Sequence, residues 1–106
     1  LFIPDIDKWH LWEKDIAKII TEIDYAFIDG TFYKDGELER DMSNIPHPFV
    51  VESMEVLKNL SNKDKSKVYF IHLNHTNPLL QENSFERKTV ISKGFNYAKQ
   101  GMTILL

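Results

Sequence analysis

One apolar run in this sequence closes on ligand-type residues. Val68-Tyr-Phe-Ile-His72-Leu-Asn74-His75-Thr-Asn77-Pro78 passes from a buried-strand pattern into two histidines and two asparagines before proline stops it. Two other apolar runs end in carboxylates: Leu1 to Ile3 is followed by Pro4, Asp5 and Asp7, and Tyr25 to Ile28 by Asp29 and Gly30. Imidazole suits zinc and the other borderline metals, and carboxylate the harder ones, so these residue types gathered at adjacent strand ends make the donor set of a metal centre. Such a metal lowers the pKa of a bound water from roughly 15.7 to about 7, or holds a reactant at an open position. A chain with 4 His and 16 acidic residues brings some of them together by chance, so composition alone does not select this chemistry.

The elements that must position these residues follow an α/β pattern. Leu1 to Ile3 reads as a short strand, and a helix is predicted from Trp9 to Ile23, where Ile16, Ile19, Ile20 and Ile23 have the i, i+3, i+4, i+7 spacing of one buried face. Tyr25 to Ile28 is a second strand. Residues 29 to 49 are polar, with Gly30, Gly36, Pro46 and Pro48, and read as a surface loop of about 20 residues, a length that compact domains keep for function or disorder. A second helix is expected from Phe49 to Leu60, a turn over Ser61 to Ser66, and a strand from Lys67 to Leu73. Ser84 has the chemistry of an N-cap for a third helix through Lys93, closed by Gly94. Two last strands, Phe95 to Ala98 and Met102 to Leu105, are expected to pair across Lys99-Gln-Gly101. The order β-α-β-loop-α-β-α-β-β predicts a mixed sheet with helices on one face, in which functional residues collect where strands end.

The chain, 106 residues with 42% hydrophobic and 27% charged, suits one domain of modest core, read as a single unit over 1–106. A net charge of −3 lacks the basic footprint of a phosphate-neutralising protein, so nucleic acid is an unfavoured partner. With no cysteine there is neither a disulfide framework nor a thiolate metal site, which suits a reducing cytoplasm. No apolar run approaches the roughly 20 residues of a membrane span. A strand pattern already under way at Leu1 is read as the mark of a processed or truncated product.

Four segments together carry a resemblance: Phe2-Ile-Pro-Asp5, Tyr25-Ala-Phe-Ile-Asp29-Gly-Thr31-Phe32, Asp41-Met42-Ser-Asn-Ile-Pro-His47-Pro, and Ile71-His72-Leu-Asn-His75-Thr-Asn77-Pro78. In this order they resemble the C-terminal half of metallo-β-lactamase-fold proteins, and most closely the coenzyme PQQ synthesis protein B family, over essentially all of the chain. The resemblance implies half of an αββα sandwich that binds one or two divalent metals, zinc, iron or manganese, between its sheets. Carried over by position, Asp5 matches a bridging metal carboxylate and His72 the last metal histidine. Asp29 and His47 match the acidic residue and histidine that related tRNA-processing nucleases keep near the scissile phosphate. His75 joins them as a candidate for proton transfer or substrate contact, and Asn74 and Asn77 are expected to line the same pocket. The chain departs from the fold family in having no H-x-H-x-D-H motif, the source of most of the metal ligands. It is therefore expected to be a fragment of a longer enzyme, inactive alone, completed by the missing N-terminal half or by a homo-oligomer.

The implied function is a metal-dependent hydrolase or oxygenase acting on a small-molecule or peptide-derived substrate in quinone cofactor biosynthesis. Two alternatives stand beside it: a non-catalytic interaction domain and a tRNA-processing-type phosphodiesterase. Residue by residue, plainer roles also remain. His72 suits a core histidine, Asp5 a turn or cap carboxylate, Asp29-Gly30 a turn, and His75 with its neighbouring asparagines a stabilised loop.

Overall fold

The computed structural model describes residues 1–99. Its four strands, β1 (Phe2–Ile3), β2 (Ala26–Asp29), β3 (Val68–Ile71) and β4 (Asn96–Tyr97), lie in the order β1-β2-β3-β4, and every neighbouring pair is parallel. Parallel neighbours require a crossover at each step. Here the crossovers carry α1 (Ile16–Thr21), then α2 (Val50–Val56) and α3 (Asn62–Lys65), then α4 (Phe85–Ser92). The described sheet is thus parallel where the sequence pattern suggested a mixed one. The antiparallel pairing expected for Met102 to Leu105 lies outside the described residues.

Register separates the two faces of the sheet. Ile3, Ile28, Phe70 and Tyr97 stand in one row, and Phe2, Phe27, Tyr69 and Asn96 in the next. Ile28, Phe70 and Tyr97, with Ala26 and Val68, are buried against Ile16 and Ile20 of α1, Val50 and Met54 of α2, and Val90 of α4. The helices therefore cover one face. The other face carries Phe2, 70% exposed, and a cluster of Tyr25, Phe27 and Tyr69 with ring centroids 5.7 to 6.4 Å apart.

Three local expectations are corrected. The Trp9 to Ile23 helix is two pieces, a 3₁₀ turn over Trp9–Leu11 and then α1. Asp15 divides them: its carboxylate accepts from the backbone N–H groups of Ala17 and Lys18 at 3.1 and 3.3 Å, which makes it the N-cap of α1. The turn in turn lets Trp9 reach inward, where its indole N–H donates to Ser53 Oγ at 2.7 Å. Ser61 to Ser66, read as a turn, contains α3, capped by Ser61 Oγ accepting from Asp64 N–H.

The segment between β2 and α2 is no bare surface loop. Phe32, Met42, Ile45 and Phe49 bury one another in a second small core, beside Leu38 and Val51. Tyr33, next in the chain to Phe32, is buried in the main core, and burial, reinforced by the nearby Glu86 carboxylate, pushes its phenol above the usual 10.0. A folded-state pKa raised above the unfolded value contributes stability in full below about pH 10 and loses it as pH rises through the folded pKa. Tyr33→Phe is accordingly expected to flatten the alkaline limb of the stability curve above about pH 10, measured by urea denaturation at a series of pH values. Ser84 caps α4 as expected, its Oγ accepting from Arg87 N–H, and Gly94 follows that helix at φ +95°.

Candidate functional site

Because all four strands point the same way, their C-terminal ends share one edge of the sheet. Asp29 is the last residue of β2 and is fully buried. An ionised carboxylate offers about four acceptor sites, and here each is used. Oδ1 accepts from the Thr31 backbone N–H at 2.9 Å and the Thr31 hydroxyl at 2.7 Å, while Oδ2 accepts from Ile6 N–H at 3.1 Å and His47 Nδ1 at 2.6 Å. Asp29 thereby ties the segment after β1 and the loop before α2 to the end of the central strand.

His47 comes from that loop, between Pro46 and Pro48, which restrict its backbone. Its ring stands edge-on to Phe32 with centroids 6.0 Å apart. With Nδ1–H spent on Asp29, the ring turns its Nε2 away from that carboxylate. Asp5, with a side chain 71% exposed, lies at 3.5 Å from the same Nδ1. The ligand-type atoms of Asp5, Asp29 and His47 all fall within 4.8 Å of one another. Of the three, Asp29 has no unspent acceptor, so Asp5 is the carboxylate able to take a further partner.

His72 follows β3 immediately, in the left-handed conformation at φ 61°. Left-handed backbone is uncommon outside glycine. Its Nδ1 is 3.2 Å from Thr31 Oγ1, which places His72 one hydroxyl away from Asp29. Asn77 is buried, and its amide is fully engaged with the main chain: Nδ2 donates to the carbonyls of Gly30 at 2.7 Å and Thr31 at 3.3 Å, and Oδ1 accepts from Leu79 N–H at 2.9 Å. Asn74 bonds within its own turn, Nδ2 donating to Thr76 Oγ1 at 2.7 Å, and its backbone N–H donates to Thr31 O at 2.9 Å. His75 is exposed on the same turn.

Thus Asp5, Asp29 and His47 meet, His72 joins them through Thr31, and Asn74 and Asn77 hold the loop that carries His72 against the 30–31 backbone. Thr31 was absent from the residues singled out by type. Its signal in the sequence was the Asp-Gly-Thr spacing, which lets a hydroxyl two residues on bond back to the aspartate. A cleft of about 610 Å³ among Tyr33, Met54, Lys58, Lys65, Lys93 and Phe95 lies elsewhere, on the helical side, and touches none of these residues. The strand-end cluster is an open edge, with Asp5, His72 and His75 exposed.

The parallel sheet with helices packed on one face matches part of a metallo-β-lactamase-fold protein, and it is by that match that the chain has this fold. Within it, the chain is PqqB-like. The crystal structure of Zn²⁺-bound PqqB from Methylobacterium extorquens superposes on 99% of the chain with a TM-score of 0.77 at 25% identity, the match covering 39% of that protein. Coenzyme PQQ synthesis protein B of Nitrosococcus oceani is 32% identical over 103 residues, covering 89% of this chain and 32% of its own length. The same protein of Gluconobacter oxydans is 31% identical over 112 residues, covering 100% of this chain and 36% of its own. No protein-family model matches the chain. The chain spans about a third of the length of the curated relatives it matches. None of the described helices is long and apolar enough to cross a membrane.

Proposed function

We propose that the chain supplies two metal ligands and a proton-transfer pair to the active site of a PqqB-like enzyme of pyrroloquinoline quinone biosynthesis, acting on a small-molecule or peptide-derived substrate. Asp5 and His72 are the ligands, and Asp29 with His47 is the pair. The observation that carries this reading is the 2.6 Å contact between a buried aspartate and a histidine at the strand-end edge, with an exposed carboxylate 3.5 Å from the same ring nitrogen. Asp5 and His72 fit a divalent metal by donor type: one offers an unspent carboxylate, the other an exposed imidazole. They form part of a coordination set, and the remaining ligands belong to the part of the protein beyond this chain.

When bound, the metal supplies Lewis-acid activation of a water or an open position for a second reactant. The chain's own residues do the rest. Asp29, unable to accept another proton donor, holds His47 with Nδ1–H inward and Nε2 outward. Nε2 is then the atom that takes or gives a proton, and the Asp29 carboxylate stabilises the imidazolium formed when it takes one. His75 stands at the edge as a candidate contact for substrate.

The exposed aromatic face of the sheet supports a second requirement, that another layer completes the fold. Large uncovered apolar patches mark interaction surfaces, and exposed Phe2 beside the half-buried rings of Tyr25, Phe27 and Tyr69 makes an apolar surface of that kind here. The remaining portion of the protein is the proposed cover, and a second copy of the chain the substitute when that portion is absent. Metal analysis after dialysis tests the reading. A longer form carrying the rest of the protein is expected to retain zinc, iron or manganese stoichiometrically and to lose it on Asp5→Ala or His72→Ala substitution, with the isolated chain retaining little. A longer form that takes up none of these metals would overturn it.

A further inference from the structure

We infer that Thr31 is a positioning residue that fixes the tautomer of His72 and joins it to the Asp29–His47 pair. The argument is a count of hydrogens. Thr31 has one hydroxyl hydrogen, and its Oγ1 lies 2.7 Å from Asp29 Oδ1 and 3.2 Å from His72 Nδ1. Asp29 is an acceptor only when ionised, and a charge-assisted hydrogen bond is about twice as strong as a neutral one. The shorter contact to the carboxylate therefore takes the hydrogen. Thr31 Oγ1 then has only lone pairs to offer His72, and Nδ1 of His72 must be the donor. That assignment leaves the lone pair of a neutral His72 on Nε2, free for a ligand.

Two further features agree. Thr31 is buried and its backbone N–H is held by the same Asp29 oxygen at 2.9 Å, so its hydroxyl has little freedom to turn elsewhere. His72 sits at φ 61°, a conformation that surrounding structure must enforce, and here it places the ring beside the Thr31 hydroxyl. One buried carboxylate thus orients both imidazoles through Nδ1, His47 directly and His72 through a hydroxyl. The consequence for metal rests on the proposal that His72 is a ligand. The tautomer itself does not.

Two-bond proton–nitrogen NMR of the metal-free chain, at a pH where its imidazoles are neutral, reads the tautomer of His72. The wild type is expected in the Nδ1–H form, Thr31→Val to shift toward the Nε2–H form, and Thr31→Ser to restore the wild-type pattern. A wild-type His72 already in the Nε2–H form, or a tautomer unchanged in a folded Thr31→Val, overturns the inference. Zinc titration of the longer form then separates the two claims. Removing the outer partner of a metal histidine weakens affinity about 10- to 100-fold, so Thr31→Val should show that loss and Thr31→Ser should not. Absence of zinc binding in the wild type beside the expected tautomer shift overturns the ligand assignment and supports the positioning role.

Discussion

Asp29→Ala is expected to lower the unfolding free energy by about 3–5 kcal/mol, the range for removing one member of a buried charged network. The substitution strips the acceptor from two backbone N–H groups, a hydroxyl and an imidazole at once, on residues from three separate segments. For a domain of this size each kcal/mol shifts Tm by roughly 4–8 °C, so the midpoint should fall by more than about 12 °C. Asp29→Asn separates geometry from charge. The asparagine keeps the shape but turns its NH₂ toward one pair of donors, so the backbone N–H of either Ile6 or Thr31 loses its acceptor whichever way the amide lies. Circular dichroism melting curves measure both variants. A loss below about 1 kcal/mol for Asp29→Ala would mean that the carboxylate is not the tie between these segments.

His47→Ala carries the largest expected effect on catalysis, a fall in turnover of about 10²–10⁴-fold in the intact enzyme, the usual contribution of a positioned acid or base. Under the proposed roles, in which His47 acts through its proton and not as a ligand, metal content should be unchanged. His72→Ala should do the reverse in sequence of cause, losing metal first and activity with it. Parallel measurement of turnover and bound metal in the two variants distinguishes the roles. Loss of metal in His47→Ala would place that imidazole in the coordination set and leave the proton-transfer role without its residue.

How much of this was legible beforehand depends on range. The strands, Ser84 at the head of α4 and Gly94 behind it follow from local chemistry, and residues 26–29 and 68–71 show the apolar run of a doubly flanked parallel strand. The convergence of the strand ends was also readable, since adjacent parallel strands put their C-terminal residues on one edge. The break before α1 was not, because Trp9 and Trp12 stand at helical spacing from Ile16 across Asp15, which caps α1 instead of continuing the helix. The small core between β2 and α2 was missed for a related reason. Met42, Ile45 and Phe49 fall at helical spacing, but Pro46 and Pro48 rule out a helix through them, and they meet Phe32 only once the chain has folded over them. Thr31 was invisible by type: a threonine after Asp-Gly is a turn residue until His72, 41 positions away, is brought to its other side.

The most direct test of the account is anomalous X-ray diffraction from crystals of the longer, zinc-loaded form. The account predicts a zinc peak at the strand-end edge, with a carboxylate oxygen of Asp5 and Nε2 of His72 at about 2.0–2.2 Å and His47 beside it, still bonded to Asp29. Zinc found only at other sites, or bound at this edge without Asp5 and His72, would contradict it.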